Sequence, residues 1–535
     1  MIYQLRHSLS NMSVLWYIFA GYIFVLSRVE AARILAYIPS PAISHQSVYR
    51  PLTEALVSRG HDVTVVTTDP IFPKGGTPPN LTEIDVHDLS YEIWRAEVVK
   101  NTRGAQDDDN IGPMTAIIQS MLKVYDKQLA NEELRALITD KRKQFDLILV
   151  EAYFIPALAF SHIFKAPVIQ AASFGAVYPN YESVGAPAHP LLYPDNSRRK
   201  LNNLTTWEKV RELYYTYKLH KMIQENWDTT GNRIIKKHFG PDTPPISELM
   251  NNIDMLFLNI HPMFETIRPV PPSVIYMSGI HQKPTKELPK DLKSYLDSSK
   301  HGVIYISYGS IVDTSLLPLE KIQILIRVLS QLPYDVLWKW NSDELPGRTE
   351  NIRISKWLPQ ADLLKHPKVK LFITQGGLQS TDEAITAGVP LIGMPMLGDQ
   401  WFNVERYEFH KIGVRLDMET LTEENFKSAI KTTIGDDSYR RNMERFRSLV
   451  QDAPQSPLER AVWWTEYVLR HGGAKHLSSP SANISWWQYL ELDLVLTLLA
   501  AFLIALTLII VALRCVYKFV FRIFKGENDV KKKKN

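Results

Sequence analysis

The chain has 535 residues, of which 45% are hydrophobic and 22% charged, with a formal net charge of +4 and a single cysteine. That length allows two or three domains with sizeable cores and excludes a small disulfide-stapled scaffold. Eight basic residues near the end (Arg514, Lys518, Arg522, Lys525 and Lys531 to Lys534) face only Glu527 and Asp529, so +6 sits in the tail and the rest of the chain carries −2, a balance with no footprint for nucleic acid.

Taken in order, Arg6 and His7 precede an apolar run from Val14 to Leu26, and small residues follow at Ala31 and Ala32. This is a signal-peptide layout over residues 1–30 with cleavage within 27–32; an uncleaved anchor is the other reading. RILAYIP (Arg33 to Pro39) predicts the first strand. A short loop with His45 follows, then a helix with Val48, Leu52, Ala55 and Leu56 at helical spacing, stopping before Gly60. DVTVVTT (Asp62 to Thr68) is the next strand. Strand, helix and strand make a parallel unit whose ligands lie outside the carboxyl ends of the strands, and His45 is at that end. Residues 70–140 alternate loops and helices. Asp107, Asp108 and Asp109 formally satisfy a metal-binding DxD pattern, but no strand leads into them and a solvated loop is the reading.

FDLILVEAYF (Phe145 to Phe154) predicts a buried strand with Glu151 toward its end, where a carboxylate needs a partner or a cleft. Asp146 belongs at the opposite end. Residues 180–250 hold helices rich in Tyr, Trp and Lys, such as KVRELYYTYKLHKMIQENW, read as amphipathic packing with an interfacial or acceptor-facing role as the alternative. MLFLNIHPMFE predicts another strand, and the prolines of VPPSVIYMSGIHQKP mark a crossing into a second domain. GVIYISYGS (Gly302 to Ser310) opens it with a strand ending at a glycine turn, where the Ser310 hydroxyl and nearby amides suit a phosphate. YDVLWKW and NIRISKW predict further strands.

The stretch from Trp357 to Gln400 is the most informative. Trp357 and Gln360 suit stacking on a flat base and pairing with its edge. VKLFIT (Val369 to Thr374) reads as a buried strand, Gly376-Gly377 as a turn, and a helix opens through Gln379, Ser380, Thr381, Asp382 and Glu383. Free backbone N–H groups at such a helix start favour an anion. A second strand, VPLIGMP, delivers Asp399-Gln400, suited to sugar hydroxyls. PLERAVWWTEYVLRH (Pro457 to His471) predicts a closing helix. Leu494 to Leu513 is an apolar run of 20 residues, long enough to cross a bilayer, and the basic cluster after it places the tail in the cytoplasm and the body on the far side. The KKKKN ending reads as an endoplasmic-reticulum retrieval address or as a polybasic stretch near anionic lipid. Cys515 lies in the tail, so the body has no disulfide. Asn80, Asn203 and Asn483 open glycosylation sequons.

The Trp357–Gln400 segment resembles the signature of the animal membrane-bound UDP-glycosyltransferases (the UDP-glucosyl/glucuronosyltransferase family), and Ser44 to Thr67 resembles that family's N-terminal domain. The resemblance runs from about residue 33 to the membrane span. It implies an α/β GT-B fold: two Rossmann-like domains facing a cleft, plus one C-terminal transmembrane helix. The N-terminal, acceptor-binding domain would be 31–278 and the UDP-sugar-binding domain 279–480. A juxtamembrane linker (481–493), the span (494–513) and a cytoplasmic tail (514–535) would follow. By the same likeness Trp357 stacks on uracil, Gln360 bonds the base edge and Glu383 holds the ribose. Ser310, Gln375, Gly377 and Ser380 face the pyrophosphate, and Asp399 and Gln400 meet the donor sugar. His45 is implied as the base and Glu151 as its orienting carboxylate, in an inverting transfer that needs neither metal nor cofactor.

Gln375 stands where the family usually has His, and Glu151 where it has Asp; together they bring the chain closest to the insect branch, whose usual donor is UDP-glucose. The resemblance implies a single-pass type I enzyme of the endoplasmic-reticulum membrane with a lumenal body. Its partners would be a UDP-sugar, small lipophilic hydroxyl acceptors contacted through residues 70–140, and the membrane. Homo-oligomerisation is left open, and the role would be detoxification-type conjugation. Two alternatives stand beside it: a weak or inactive homologue that binds nucleotide or lipophile, and a lumenal adhesion or chaperone-like module.

Overall fold

The computed structural model describes residues 31–101, 111–310, 314 and 317–532; the signal segment and Asp107 to Asp109 lie outside the described residues. The chain forms a body that ends at Ala482 and a second unit from Asn483 onward.

Long apolar runs become parallel strands because both faces of each are covered. The first sheet contains β1 (Arg33–Ile38), β2 (Asp62–Thr67), β3 (Leu81–Asp85), β4 (Leu147–Glu151), β5 (Val168–Ala172), β6 (Ile253–Leu258) and β7 (Val274–Tyr276), in spatial order β3-β2-β1-β4-β5-β6-β7. Ile34 of β1 lies opposite Val63 on one side and Leu147 on the other, both in parallel register. The second sheet contains β8 (Val303–Ser307), β9 (Asp335–Lys339), β10 (Ile352–Ser355), β11 (Val369–Thr374), β12 (Leu391–Gly393) and β13 (Gly413–Arg415), in order β10-β9-β8-β11-β12-β13. Winding reverses once in each sheet, between β1 and β4 and between β8 and β11. Chains leave those neighbouring strands in opposite directions, so a crevice opens at their carboxyl ends.

Six helices bear on the function: α1 (Ile43–Ser58), α2 (Thr206–Asn226), α3 (Leu378–Ala387), α4 (Gln400–Phe409), α5 (Pro457–His471) and α6 (Leu492–Lys532). The loop predicted around His45 is a correction: His45 lies in the first turn of α1. The buried amide of Gln46 is the reason. Its Nε2 donates to the carbonyls of Ile38 and Ser40 and to the Thr68 hydroxyl, and its Oε1 accepts from Thr67. Those bonds pull the helix start onto the ends of β1 and β2.

The closing helix returns to the first sheet. A capping box between Ser456 and Glu459 starts α5, and Ala461, Val462 and Val468 join the core beneath α1. Trp464 packs against that core, whereas Trp463 is exposed. Buried Glu466 pairs with Arg59 through two hydrogen bonds and lies 3.6 Å from His61. In the second unit, the stretch Leu492–Ile523 of α6 holds an 18-residue window of mean hydropathy 3.1 and is long enough to cross a membrane. The predicted span of 494–513 lies inside it. Arg514 is a good helix former, and no Pro or Gly follows until Gly526, so the backbone stays helical into the basic segment.

Glu466→Ala leaves Arg59 and His61 beside an apolar contact without their carboxylate. It is expected to lower body stability by about 1–3 kcal/mol, read as an earlier denaturation midpoint with unchanged slope.

Candidate active site

β1 and β4 are neighbours, so the helix start after β1 meets the last residue of β4. His45 and Glu151 come together there: Nδ1 of His45 is 2.6 Å from Oε1 of Glu151. Glu151 is fully buried, and its second oxygen accepts from the Ser40 amide at 3.2 Å. With the carboxylate accepting at Nδ1, Nε2 is the nitrogen left to take a proton. The His45 ring is partly exposed and stands edge-on to Tyr153 and Phe174, which stack on each other at 4.2 Å. Asp146, at the other end of β4, pairs with Arg33 on the surface.

The second crevice repeats the plan. Gly309, after β8, has φ +75, and a Cβ there would lie 2.3 Å from Nε2 of Gln375, the residue after β11. Glycine is therefore required for the Gln375 amide to sit between the two strand ends. Gln375 is largely buried, and its Oε1 accepts from the Thr374 hydroxyl. Gly376 (φ +91) turns the chain, and a Cβ there would strike Val404 of α4. The first turn of α3 has no side-chain cap at Gly377, so its leading amides stay available to an anion. Ser310 is on the exposed turn after β8.

Base-side residues are linked to one another. Gln360 accepts from the Tyr305 hydroxyl and donates to Ser380 Oγ at 2.9 Å and Glu383 Oε2 at 2.8 Å. Ser380, expected at a phosphate, thus sits with Gln360 and Glu383. Trp357 is 69% exposed, with Lys339 Nζ 5.7 Å from its ring, and that ammonium also donates to the Gly309 carbonyl. Asp399 accepts from Asn403, which also donates to the Gly376 carbonyl. Burial raises the Asp399 carboxyl to about 6, and His45 is close enough to oppose that rise. The oxygen of Gln400 is spent on the Met396 and Leu397 amides, so the residue shapes the loop that carries Asp399.

Sequence reasoning missed four residues here. Gln46 anchors the His45 turn, and Gln379 of α3 donates to the Ser173 carbonyl after β5, tying the two crevices together. Buried Asp382 has an oxygen without a hydrogen-bond partner, and burial raises its carboxyl to about 8. His281 is buried with neither ring nitrogen bonded, 3.9 Å from Glu383, and burial lowers it to about 4. Burial also raises Glu383 to about 7.

Asn80 donates its amide to the Val57 and His61 carbonyls, Asn203 is exposed on a turn, and Asn483 begins the second unit. Among the described residues no group of three or more His, Cys, Asp or Glu is placed to hold a metal ion.

Comparison with known proteins agrees with this geometry. The family described as "UDP-glucoronosyl and UDP-glucosyl transferase" matches residues 34–528. The chain is 36% identical over 490 residues to the ecdysteroid UDP-glucosyltransferase of Lymantria dispar multicapsid nuclear polyhedrosis virus, covering 90% of this chain and 95% of that protein. It is 32% identical over 498 residues to UDP-glucosyltransferase 2 of Dactylopius coccus, covering 91% and 93%. Among solved structures, a UDP-glucose:anthocyanidin 3-O-glucosyltransferase in complex with UDP superposes with TM-score 0.55 at 15% identity, over 82% of this chain and 99% of that one. The calicheamicin glycosyltransferase CalG4 superposes with TM-score 0.54 at 15% identity, over 83% and 100%. These likenesses, with the two parallel sheets, show the GT-B fold.

The raised carboxyl of Asp382 gives a signed prediction. The folded state holds a proton there that the unfolded chain releases near pH 4, so this group's contribution to stability falls as pH rises from about 4 to about 8. Asp382→Asn removes the titration. Its stability relative to the parent is expected to be higher at pH 8 than at pH 5 by about 1–3 kcal/mol, measured by denaturant melts at both pH values.

Proposed function

The chain belongs to the UDP-glucoronosyl and UDP-glucosyl transferase family, and we propose that it transfers glucose from UDP-glucose to a hydroxyl of a small lipophilic acceptor, with inversion and without a metal. The observation that carries this reading is the 2.6 Å bond between His45 and buried Glu151 in one crevice, joined through Gln379 to the anion-ready crevice of the other sheet.

In the proposed reaction the acceptor oxygen attacks the anomeric carbon while Nε2 of His45 takes its proton. The bond from that carbon to the β-phosphate oxygen breaks, and UDP leaves with the electron pair. Glu151 holds the imidazole tautomer and stabilises the imidazolium that forms. The leaving diphosphate meets the first-turn amides of α3 and the side-chain amide of Gln375, fixed donors that need no rearrangement as charge develops. An amide at position 375 donates a hydrogen bond at any pH, which suits a phosphate contact that does not titrate. Trp357 and Gln360 take the base, Glu383 the ribose, and Asp399 the donor sugar. The stacked Tyr153–Phe174 pair beside His45 offers a flat apolar wall to the acceptor.

Glucose is preferred to glucuronic acid because the viral and Dactylopius coccus relatives are both named as glucosyltransferases. Since one of them is named for ecdysteroids, a steroid hydroxyl is the first acceptor to offer. We place the enzyme in the endoplasmic-reticulum membrane with α6 as its span and a lumenal body, in a conjugating, detoxification-type role; the apolar length of α6 and the lysine-rich ending support this.

The test is UDP release from membranes bearing the chain, with UDP-glucose or UDP-glucuronic acid and a panel of steroids, phenols and terpenoid alcohols. Acceptor-dependent release with UDP-glucose is expected, unaffected by a chelator. His45→Ala should lower kcat by about 10²–10⁴-fold while UDP still protects the body from thermal unfolding. Trp357→Ala should instead raise the donor KM by about tenfold. Full activity in His45→Ala would refute the assignment of the base. UDP protection without release from any pair would favour an inactive nucleotide-binding homologue.

A further inference from the structure

We infer that a hollow at the far end of α4 binds an alkyl carboxylate, with Arg406 and Arg445 as the partners of its charged head. Around the axis of α4, positions 399, 403, 406 and 410 fall within about 60° of one another. Asp399, Asn403, Arg406 and His410 therefore form one polar stripe, and Arg406 lies about 10 Å along it from Asp399. Packing turns the stripe inward, so that Asn403 and Arg406 are both buried.

Arg406 is a buried cation without a counter-ion. Its Nε donates to the Phe264 carbonyl at 2.7 Å, and Nη2 donates to the Met263 carbonyl and to Nε2 of His410, both at 3.3 Å. Nη1 takes no hydrogen bond, and no carboxylate among the described residues pairs with the group. Glu265 is the acid whose charge reaches it, but that carboxyl accepts from the Tyr181 hydroxyl at 2.6 Å and lies 4.0 Å from Arg268. Carbonyl dipoles solvate a guanidinium without neutralising it, and burial lowers Arg406 to about 10. A buried charge in this state calls for an anion from outside the chain.

The hollow beside Arg406 measures about 710 Å³, within the range of about 300–1,000 Å³ in which proteins enclose small organic ligands. Leu192, Ile267, Phe409 and Leu449 line it and are exposed, and the Arg406 guanidinium lies 4.2 Å over the Phe409 ring. No Asp or Glu lines it, whereas Arg406 and Arg445 both do. Arg445 is exposed and has no ion-pair partner among the described residues. Its helix, Ser438–Gln451, carries four arginines against one glutamate, so the local field favours an anion. An apolar lining with positive charge alone is complementary to an apolar body with one negative head. A phosphate dianion would give up more hydration than such a lining returns. The hollow shares no lining residue with the two crevices, so binding there does not depend on the reaction proposed above.

The experiment uses the full chain in phosphatidylcholine nanodiscs and two photoreactive probes, decanoate and decanol, each carrying a diazirine near its tail. After illumination, adducts are mapped by mass spectrometry of the digested chain. The decanoate probe is expected to label peptides bearing Ile267, Phe409 or Leu449. Plain decanoate should compete, whereas decanol and UDP should not. Arg406→Met and Arg445→Glu should each cut that labelling by about tenfold, the loss of one charge-assisted contact. UDP protection against unfolding confirms that each variant is folded; Arg445→Glu, an exposed position, carries the test if Arg406→Met does not fold. Equal labelling by the alcohol would mean an apolar surface with no carboxylate site and overturns the inference. Undiminished labelling in Arg445→Glu overturns it too. So do adducts confined to α6, or to peptides bearing Tyr153 and Phe174, which would place the probe in the lipid or in the His45 crevice.

Discussion

The hydrogen bond between His45 and Glu151 exists only because β1 and β4 are neighbours. The two residues stand 106 positions apart in sequence, and nothing local brings them together. A parallel sheet wound outward from its centre has one place where the winding reverses, and the crevice there is the one gap at the carboxyl edge that no crossover covers. The charged partner must lie at this edge: Glu151 is fully buried, and a carboxylate so placed needs a hydrogen-bonding partner. His45 and the Ser40 amide supply it. The second sheet meets the same constraint between β8 and β11, with a neutral amide, Gln375, in the gap and an uncapped helix start behind it.

A polar seam through the body makes one site of two crevices. Gln379 reaches the Ser173 carbonyl, Arg406 donates to the Phe264 and Met263 carbonyls, and the closing helix α5 returns to bury Glu466 beside α1. The bonds of Gln379 and Arg406 run from side chain to backbone and fix position more than they add stability, since each nets only about 1 kcal/mol. The acids near the nucleotide crevice obey a different logic. Asp382, Glu383 and Asp399 are all raised by burial to between about 6 and about 8. In the proposed reaction Glu383 and Asp399 accept hydroxyls from the ribose and the sugar, and acceptors held in so poorly solvated a place carry a cost in stability.

Much of this is legible in the sequence because strands buried on both faces are written as continuous apolar runs. VKLFIT is β11 residue for residue, and PLERAVWWTEYVLRH is α5 with its bounds intact. The carboxyl-end positions of His45 and Glu151 come from strand order alone. The features that escape are set by long-range side-chain bonds. A loop is predicted at His45 because SPAISHQS has no helical periodicity; the turn is made by Gln46 bonding carbonyls of β1, to which pattern reading is blind. His281 and Gln379 are single polar residues in unremarkable surroundings, and their importance appears only when the seam closes over them. The Tyr- and Trp-rich stretch of α2 reads as packing, yet Trp207, Tyr214 and Tyr217 are exposed, because periodicity gives a face but not the direction in which it points.

The central claim is a single displacement in which His45 activates the acceptor from the side of the sugar opposite UDP. It is tested most directly by the anomeric configuration of the product, read by NMR from the coupling of the C1 proton after transfer from UDP-glucose, whose linkage is α. A β-glucoside is the predicted result, since one in-line attack inverts the centre. An α-glucoside would contradict the account, because retention needs a step on the donor face that a base at His45 does not provide.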